Sequence, residues 1–445
     1  MTGKLNPDPE LERLVQQLND ERAAAATGGP AAAATASSPR FEPLPAEPDL
    51  DGEEPARPPL ALAAAATVHG GDPLETLLAE AVRRGGSDLL LVPGSPPAVR
   101  VDGRLGSLPA GAVAAGAVEE LLEPHLGARQ RRALRDDGTA DFTLRLDGAD
   151  GRDGAGAGGT GVGNEGGWRF RVNLHRQRGV LAAALRALPR RVPTLEELNL
   201  PATLTELVAP TRGLVLVCGP TGAGKSSTLA ALVGHLNRTR AAHVITIEDP
   251  IEYEHTSRQC LVEQVEVGTD APSFAAALRA GLRQDPDVIL VGEMRDLETV
   301  ATALTAAETG HLILATLHTN DVVQAVHRIV DVFPGDQQSQ IRQQLALSLH
   351  AIVAQQLVPR RDRPGRVPAV EVLTATYAVR NHIRNQHLQR LYNEVTLGKR
   401  HGMVSLEESL ARLVRAGAVD VEEARIRSAH PEELESLLRG GGTAT

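Results

Sequence analysis

Only two cysteines, Cys218 and Cys260, occur in 445 residues. Two thiols cannot supply a four-thiolate zinc site, and a chain of this length does not need one disulfide to hold its core. No zinc is therefore expected, and a reducing, cytoplasmic compartment is the reading. Aromatic residues make up 2% of the chain, which leaves few rings for stacking bases. Positive charge is not in excess, since the formal net charge is −10, so nucleic acid is not an expected partner. No run of about 20 apolar residues exists, and "LALAAAATV" is too short and alanine-rich to cross a bilayer. The acidic N-terminus lacks the apolar centre of a secretory signal.

What is present changes along the chain. Residues 1–67 are biased to Ala, Pro and Glu and hold 11 acids against 5 bases. That composition cannot offset ordering entropy by burial, so a disordered acidic tail is expected. Leu11, Leu14, Val15 and Leu18 have helical spacing within it and read as a transient or docking helix. Residues 68–195 read as a first folded domain. "LETLLAEAVRRGG" is an amphipathic helix with a glycine stop. "SDLLLVPGSPPAVRVDGRL" reads as two strands around a Pro/Gly turn. In "WRFRVNLH" the alternation places Trp168, Phe170, Val172 and Leu174 on one face and Arg169, Arg171, Asn173 and His175 on the other. Residues 147–167 carry ten glycines in 21 positions, the composition of a flexible hairpin tip. Residues 196–209 read as a linker. From about 210 to 375, continuous apolar strands alternate with helices, which predicts an α/β fold with a parallel sheet covered on both faces. Residues 376–445 read as helical.

"GPTGAGKSS" carries the clearest chemistry. Gly219, Pro220, Thr221, Gly222, Ala223, Gly224, Lys225 and Ser226 fit G-x-x-x-x-G-K-[ST], followed by Ser227, with a buried strand before and a helix after. Such a loop closes backbone N–H groups around phosphate oxygens at a helix N-terminus. Lys225 then reaches the β and γ phosphates, and the Ser226 hydroxyl suits Mg²⁺. The ligand is a nucleoside triphosphate with magnesium; the motif alone does not separate ATP from GTP.

Hydrolysis also needs a group that positions water and carboxylates that manage magnesium. Glu248, Asp249 and Glu252 end the strand in "ITIEDPIEYEH", and Glu293 directly ends "VILVG". Strand C-termini of an open parallel sheet line the ligand crevice. With Gly292 where an Asp is usual, Glu293 is the expected water-activating residue, and Glu252 and Glu293 are candidate magnesium partners beside Ser226. His311 and His318 bracket "LILATL", with His318 the better placed at the C-terminal end. Arg279 and Arg283 share a helix face at i, i+4. Arg171 and Arg186 in the first domain are candidates for an arginine reaching another subunit's phosphate.

Taken together, "SDLLLVPGSPPAVRVDG", the phosphate loop, "HVITIEDPIEYEH", "LRAGLRQDPDVILVGEMRDLETVATALTAAETGHLILATLHT", "DRPGRVPAVEVL" and "AVRNHIR" resemble the secretion ATPase superfamily, and within it the type IV pilus retraction ATPases, the PilT family. The resemblance covers about residues 71–430. It implies a PAS-like α/β domain, a RecA-like ATPase domain using ATP and Mg²⁺, and C-terminal helices. It also implies a hexameric ring at the cytoplasmic face of the membrane, docked on an integral-membrane platform protein. By position, it implies nucleotide roles for Gly219–Ser226, Glu248, Asp249, Glu252 and Glu293. It implies the same for His311 and His318, and phosphate-sensing or intersubunit roles for Arg171, Arg186, Arg279 and Arg283. Leu90 and His382 stand where the family has His and Leu, and the tail and glycine-rich tip are additions. Alternatives remain: an assembly or type II secretion ATPase of the PilB/GspE kind, or an accessory non-motor ring subunit. "AVRNHIR" itself reads as a helix with an apolar seam, Val379 and Ile383, beside a basic seam, Arg380 and Arg384.

Overall fold

The computed structural model describes residues 73–101, 103–146 and 167–440. They lie in one compact unit, Pro59–Thr445. The expectations for the acidic tail and for nearly all of the glycine-rich tip fall outside the described residues.

The chain enters through α1 (Pro73–Arg83), whose Leu74, Leu78 and Ala81 are buried at helical spacing. Then come β1 (Asp88–Leu91), β2 (Ala98–Val101), β3 (Arg104–Ser107), α2 (Ala117–Leu122), α3 (Ala128–Asp136), β4 (Thr139–Leu146), β5 (Trp168–Gln177) and β6 (Val180–Ala187). The strands form an antiparallel sheet in the order β3-β2-β1-β6-β5-β4. Leu74, Leu78, Val118 and Leu122 from the helices share one core with Phe170, Val172 and Leu174 of β5. The alternation in β5 holds for those three. Arg169 departs from it: the side chain is buried, not on a solvated face.

The second sheet follows. Its elements are β7 (Gly213–Cys218), α4 (Lys225–Thr239), β8 (His243–Glu248), β9 (Leu261–Glu266), α5 (Phe274–Gly281), β10 (Val288–Val291), α6 (Leu297–Thr309), β11 (Leu312–Leu317), α7 (Val322–Asp331), α8 (Gln338–Ser348), β12 (Leu349–Pro359) and β13 (Arg366–Thr374). The order is β13-β12-β7-β11-β10-β8-β9. All neighbours are parallel except β12 and β13, which form an antiparallel hairpin. Every residue of β7, β10 and β11 is buried, as their unbroken apolar runs require when helices cover both faces. Leu278, Val300, Leu304, Val326 and Ile329 pack on one face. Leu229, Leu232, Val233 and Leu236 of α4 pack on the other, together with Leu204, Leu207 and Val208. The segment read as a linker thus seats four side chains in the core, Leu200 being the fourth.

Last come α9 (Tyr377–Arg384), α10 (Leu391–Leu397), α11 (Leu406–Arg415), α12 (Val421–Arg427) and α13 (Pro431–Gly440). Leu410, Ala411, Ala424 and Leu434 from these helices pack on Val358, Val367 and Ala369 of the hairpin.

Candidate active site

Register brings three strand ends together. Leu317 of β11 pairs with Cys218 of β7, and Ala315 pairs with Val291 of β10. The residues that follow each strand are therefore neighbours at the C-terminal end of these central strands. From β7 comes the loop 219–224, and α4 begins at Lys225. Its N-cap is Gly224, with no capping side chain, so the first-turn N–H groups face the loop uncovered. Lys225 is buried, and its ammonium donates to the carbonyls of Gly219 at 2.8 Å and Pro220 at 3.2 Å. Burial pulls this ammonium below the usual lysine range, while Glu293 and Glu252 act the other way. Ser226 and Ser227 are half-buried in the first turn, and the Ser227 hydroxyl meets the Tyr253 hydroxyl at 2.7 Å. Thr221 and Gly222 are exposed, and Ala223 is buried.

Glu293 follows β10 and sits between two nitrogen-bearing side chains. One is Arg295, whose Nε donates to Oε1 and whose guanidinium is held above its ordinary pKa by that carboxylate. The other group is His318, whose Nε2 lies 3.2 Å from the same oxygen. Nδ1 of His318 faces Lys225 Nζ at 3.4 Å. Lysine, histidine and glutamate from three strand ends thus form one contiguous set. Gly292 also has a reason. A Cβ there would meet Ile247 O at 3.0 Å and Glu248 Cα at 3.3 Å, so a side chain at this position requires β8 to give by a few tenths of an ångström.

Glu248 ends β8 and is half-buried. Burial raises its carboxyl pKa despite a hydrogen bond from Thr246 at 2.8 Å. Asp249 is exposed and Glu252 half-buried. The segment carrying them is gripped from the small sheet. Arg169 Nη1 donates to Ile251 O at 2.9 Å, and Nη2 donates to Glu252 O at 2.8 Å. Among the described residues no group of three or more His, Cys, Asp or Glu could hold a metal ion. Ser226, Glu252 and Glu293 offer only oxygen, which suits a hard cation that takes its remaining ligands from phosphate and water.

The other expected residues lie further out. His311 is at the opposite end of β11, its Nδ1 3.1 Å from Ala306 O. Arg279 pairs with Glu298. Arg283 does not share its helix face, because α5 ends at Gly281; its Nη1 instead bonds Arg279 O at 2.9 Å. Arg186 bonds Asp88 at 2.8 Å. Burial alone would raise the Asp88 carboxyl, but Arg186, Ser87 and Arg100 together hold it below the usual range. Arg171 is exposed and lines a cleft with Arg129, Asp249 and Glu266. Arg380 is not on a solvated seam. It donates to Ala375 O at 3.0 Å, Ala346 O at 2.5 Å and Leu347 O at 2.7 Å, and caps the end of α8.

Four residues at the site escaped the sequence reading: Arg169, Tyr253, Arg295 and Gln355. Arg295 was findable as a cation two residues beyond Glu293. The other three act through contacts 26 to 132 positions away in the chain, which no local pattern encodes.

A parallel sheet with a glycine loop, lysine and acid at its strand ends defines the P-loop class of nucleotide-binding proteins. Residues 183–436 match the family model described as "Type II/IV secretion system protein", and the chain belongs to that family. It is 40% identical over 358 residues to the type IV pilus retraction ATPase PilT of Pseudomonas aeruginosa, covering 80% of this chain and 98% of that one. It is 47% identical over 266 residues to a twitching motility protein of Neisseria gonorrhoeae, covering 60% and 71% of the two chains. The crystal structure of the pilus retraction motor PilT with bound ADP superimposes with a TM-score of 0.72 at 42% identity, covering 82% of this chain and all of that one.

Proposed function

We propose that this chain is a motor ATPase that hydrolyses ATP to power retraction of a type IV pilus. The observation that carries the hydrolytic part is the contact set Lys225–His318–Glu293 beside the loop 219–226. Lys225 exchanges the carbonyls of Gly219 and Pro220 for β and γ phosphate oxygens when ATP enters. The Glu293 carboxylate orients the attacking water and takes its proton. His318 holds Glu293 in place from one side and Arg295 from the other. Ser226, Glu252 and Glu293 are the residues that would hold a Mg²⁺, which when bound would supply charge neutralisation for the transferred phosphoryl group. Glu248 and Asp249 border the same crevice.

The retraction part is supported by kinship to a protein named for pilus retraction, matched over 98% of its length, and to one named for twitching motility, matched over 71% of its length. With it come a hexameric ring, a membrane platform protein as partner, and action at the cytoplasmic face of the membrane. Among the described residues no helix is long and apolar enough to cross a membrane. Arg171 and Arg283 are exposed cations that a neighbouring subunit could meet, and Arg186 and Arg279 would have to leave Asp88 and Glu298 to do so. His311 supports the start of β11. The test is ATP turnover by the purified chain, joined to pilus imaging in cells lacking the gene. Turnover without any effect on retraction would remove the motor assignment.

A further inference from the structure

Gln355 lies on β12 directly beneath the phosphate loop and is 4% exposed. Ala354, the residue before it, pairs with Cys218, the last residue of β7, so Gln355 stands where the loop departs. Both ends of its amide are used. Nε2 donates to Ala223 O at 2.7 Å. Oε1 accepts from the Thr228 hydroxyl at 2.8 Å. Its own backbone carbonyl is pressed on Gly219: a Cβ there would stand 2.2 Å from that oxygen, at a φ of +149°. One buried side chain and its carbonyl therefore touch the beginning of the loop, its last turn and the helix that follows.

The bond to Ala223 has a directional consequence. The Ala223–Gly224 peptide is trans, and in a trans peptide plane C=O and N–H point opposite ways. Tying the Ala223 carbonyl to Gln355 therefore turns the Gly224 N–H to the opposite side, away from Gln355 and β12. A peptide free to flip would present a carbonyl oxygen there, and a phosphate would be repelled.

We propose that Gln355 is a positioning residue for nucleotide phosphate, fixing the Ala223–Gly224 peptide so that its N–H faces the ligand. This rests on the reading that loop 219–226 binds ATP. Gln355 touches no reacting atom, so its loss weakens binding and spares the chemical step. A glutamate keeps the acceptor for Thr228 but sets an acceptor against the Ala223 carbonyl.

The experiment measures affinity for a fluorescent ADP analogue with Mg²⁺, KM and kcat for ATP, and nucleotide-free melting temperature, on the full chain. Gln355→Leu and Gln355→Glu should each weaken affinity and raise KM by about 10-fold or more, the worth of a charge-assisted hydrogen bond or two. The kcat at saturation should stay within about 3-fold. Thr228→Val, which leaves the bond to Ala223 intact, should lose less than about 3-fold in affinity. Unchanged affinity in both Gln355 variants, or a loss in kcat alone, overturns the inference. Failure of both variants to fold also overturns it, since Gln355 would then be a residue of the core. An unmodified chain that binds no ADP analogue overturns the ATP reading itself.

Discussion

His318 Nε2 lies 3.2 Å from Glu293 Oε1, and the opposite ring nitrogen lies 3.4 Å from Lys225 Nζ. Lysine can only donate and an ionised glutamate can only accept. The arrangement therefore suits a neutral ring with its proton on Nε2. His318 links the phosphate-binding cation to the water-positioning acid. His318→Ala should lower kcat by about 10- to 100-fold and change nucleotide affinity much less. His318→Gln, which retains a donor for Glu293, should recover part of the loss. Equal kcat in the wild type and His318→Ala would remove the link.

Glu293→Gln keeps the size of the side chain and removes the base. Turnover should fall by about 10²- to 10³-fold while ATP affinity stays within a few-fold. Lys225→Ala should instead abolish productive binding. Binding and steady-state hydrolysis, measured separately, check the pair. Near-normal turnover in Glu293→Gln would assign the base to another carboxylate.

Arg380 and Arg384 occupy successive helical turns but have different surroundings. Burial, followed by the charge of Arg384, holds the Arg380 guanidinium below its ordinary pKa. Its three carbonyl partners include the last carbonyls of α8, where a cation also complements the helix dipole. Arg384 is exposed. Arg380→Ala should cost roughly 1–3 kcal/mol of stability, and Arg384→Ala should cost almost nothing. Chemical denaturation of both variants distinguishes this from two equivalent surface charges, which would give equal, small effects.

Glu371 on β13 is buried, and its carboxylate accepts from the Val322 N–H at 3.0 Å at the start of α7. Burial dominates, aided by Asp321 and Glu407, and raises its pKa from 4.5 to about 7. A raised acid binds its proton more tightly in the folded state. Its stabilising contribution is therefore full below about pH 4.5 and is lost as pH rises through about 7. The loss amounts to roughly 3 kcal/mol from this group alone. Glu371→Gln keeps an acceptor for Val322 and should flatten the pH dependence of stability. At about pH 8 it should be more stable than the wild type. A parallel pH profile in the two proteins would contradict this.

The sequence was most informative where one short segment carries the whole signal. Unbroken apolar runs announced β7, β10 and β11, and the loop motif announced Gly219–Ser226. Glu293 and His318 followed because each directly ends such a run. It was least informative where function depends on partners distant in the chain. Arg169 looked like one cation of a solvated face, because alternation cannot report that another domain's carbonyls cover it. Arg380 looked equivalent to Arg384 for the same reason. Neither β9 nor the β12–β13 hairpin was read as strand. β9 mixes exposed and half-buried residues at a sheet edge, which removes the apolar run. Gln355 sits on a strand that was not read, and a glutamine has no pattern of its own.

The measurement that tests the account most directly is live imaging of labelled pili in cells whose only copy of this gene carries Glu293→Gln. These cells should assemble pili that do not retract, and the purified variant should still bind ATP without turning it over. Pili that retract at the wild-type rate, or cells that assemble no pili at all, would contradict this.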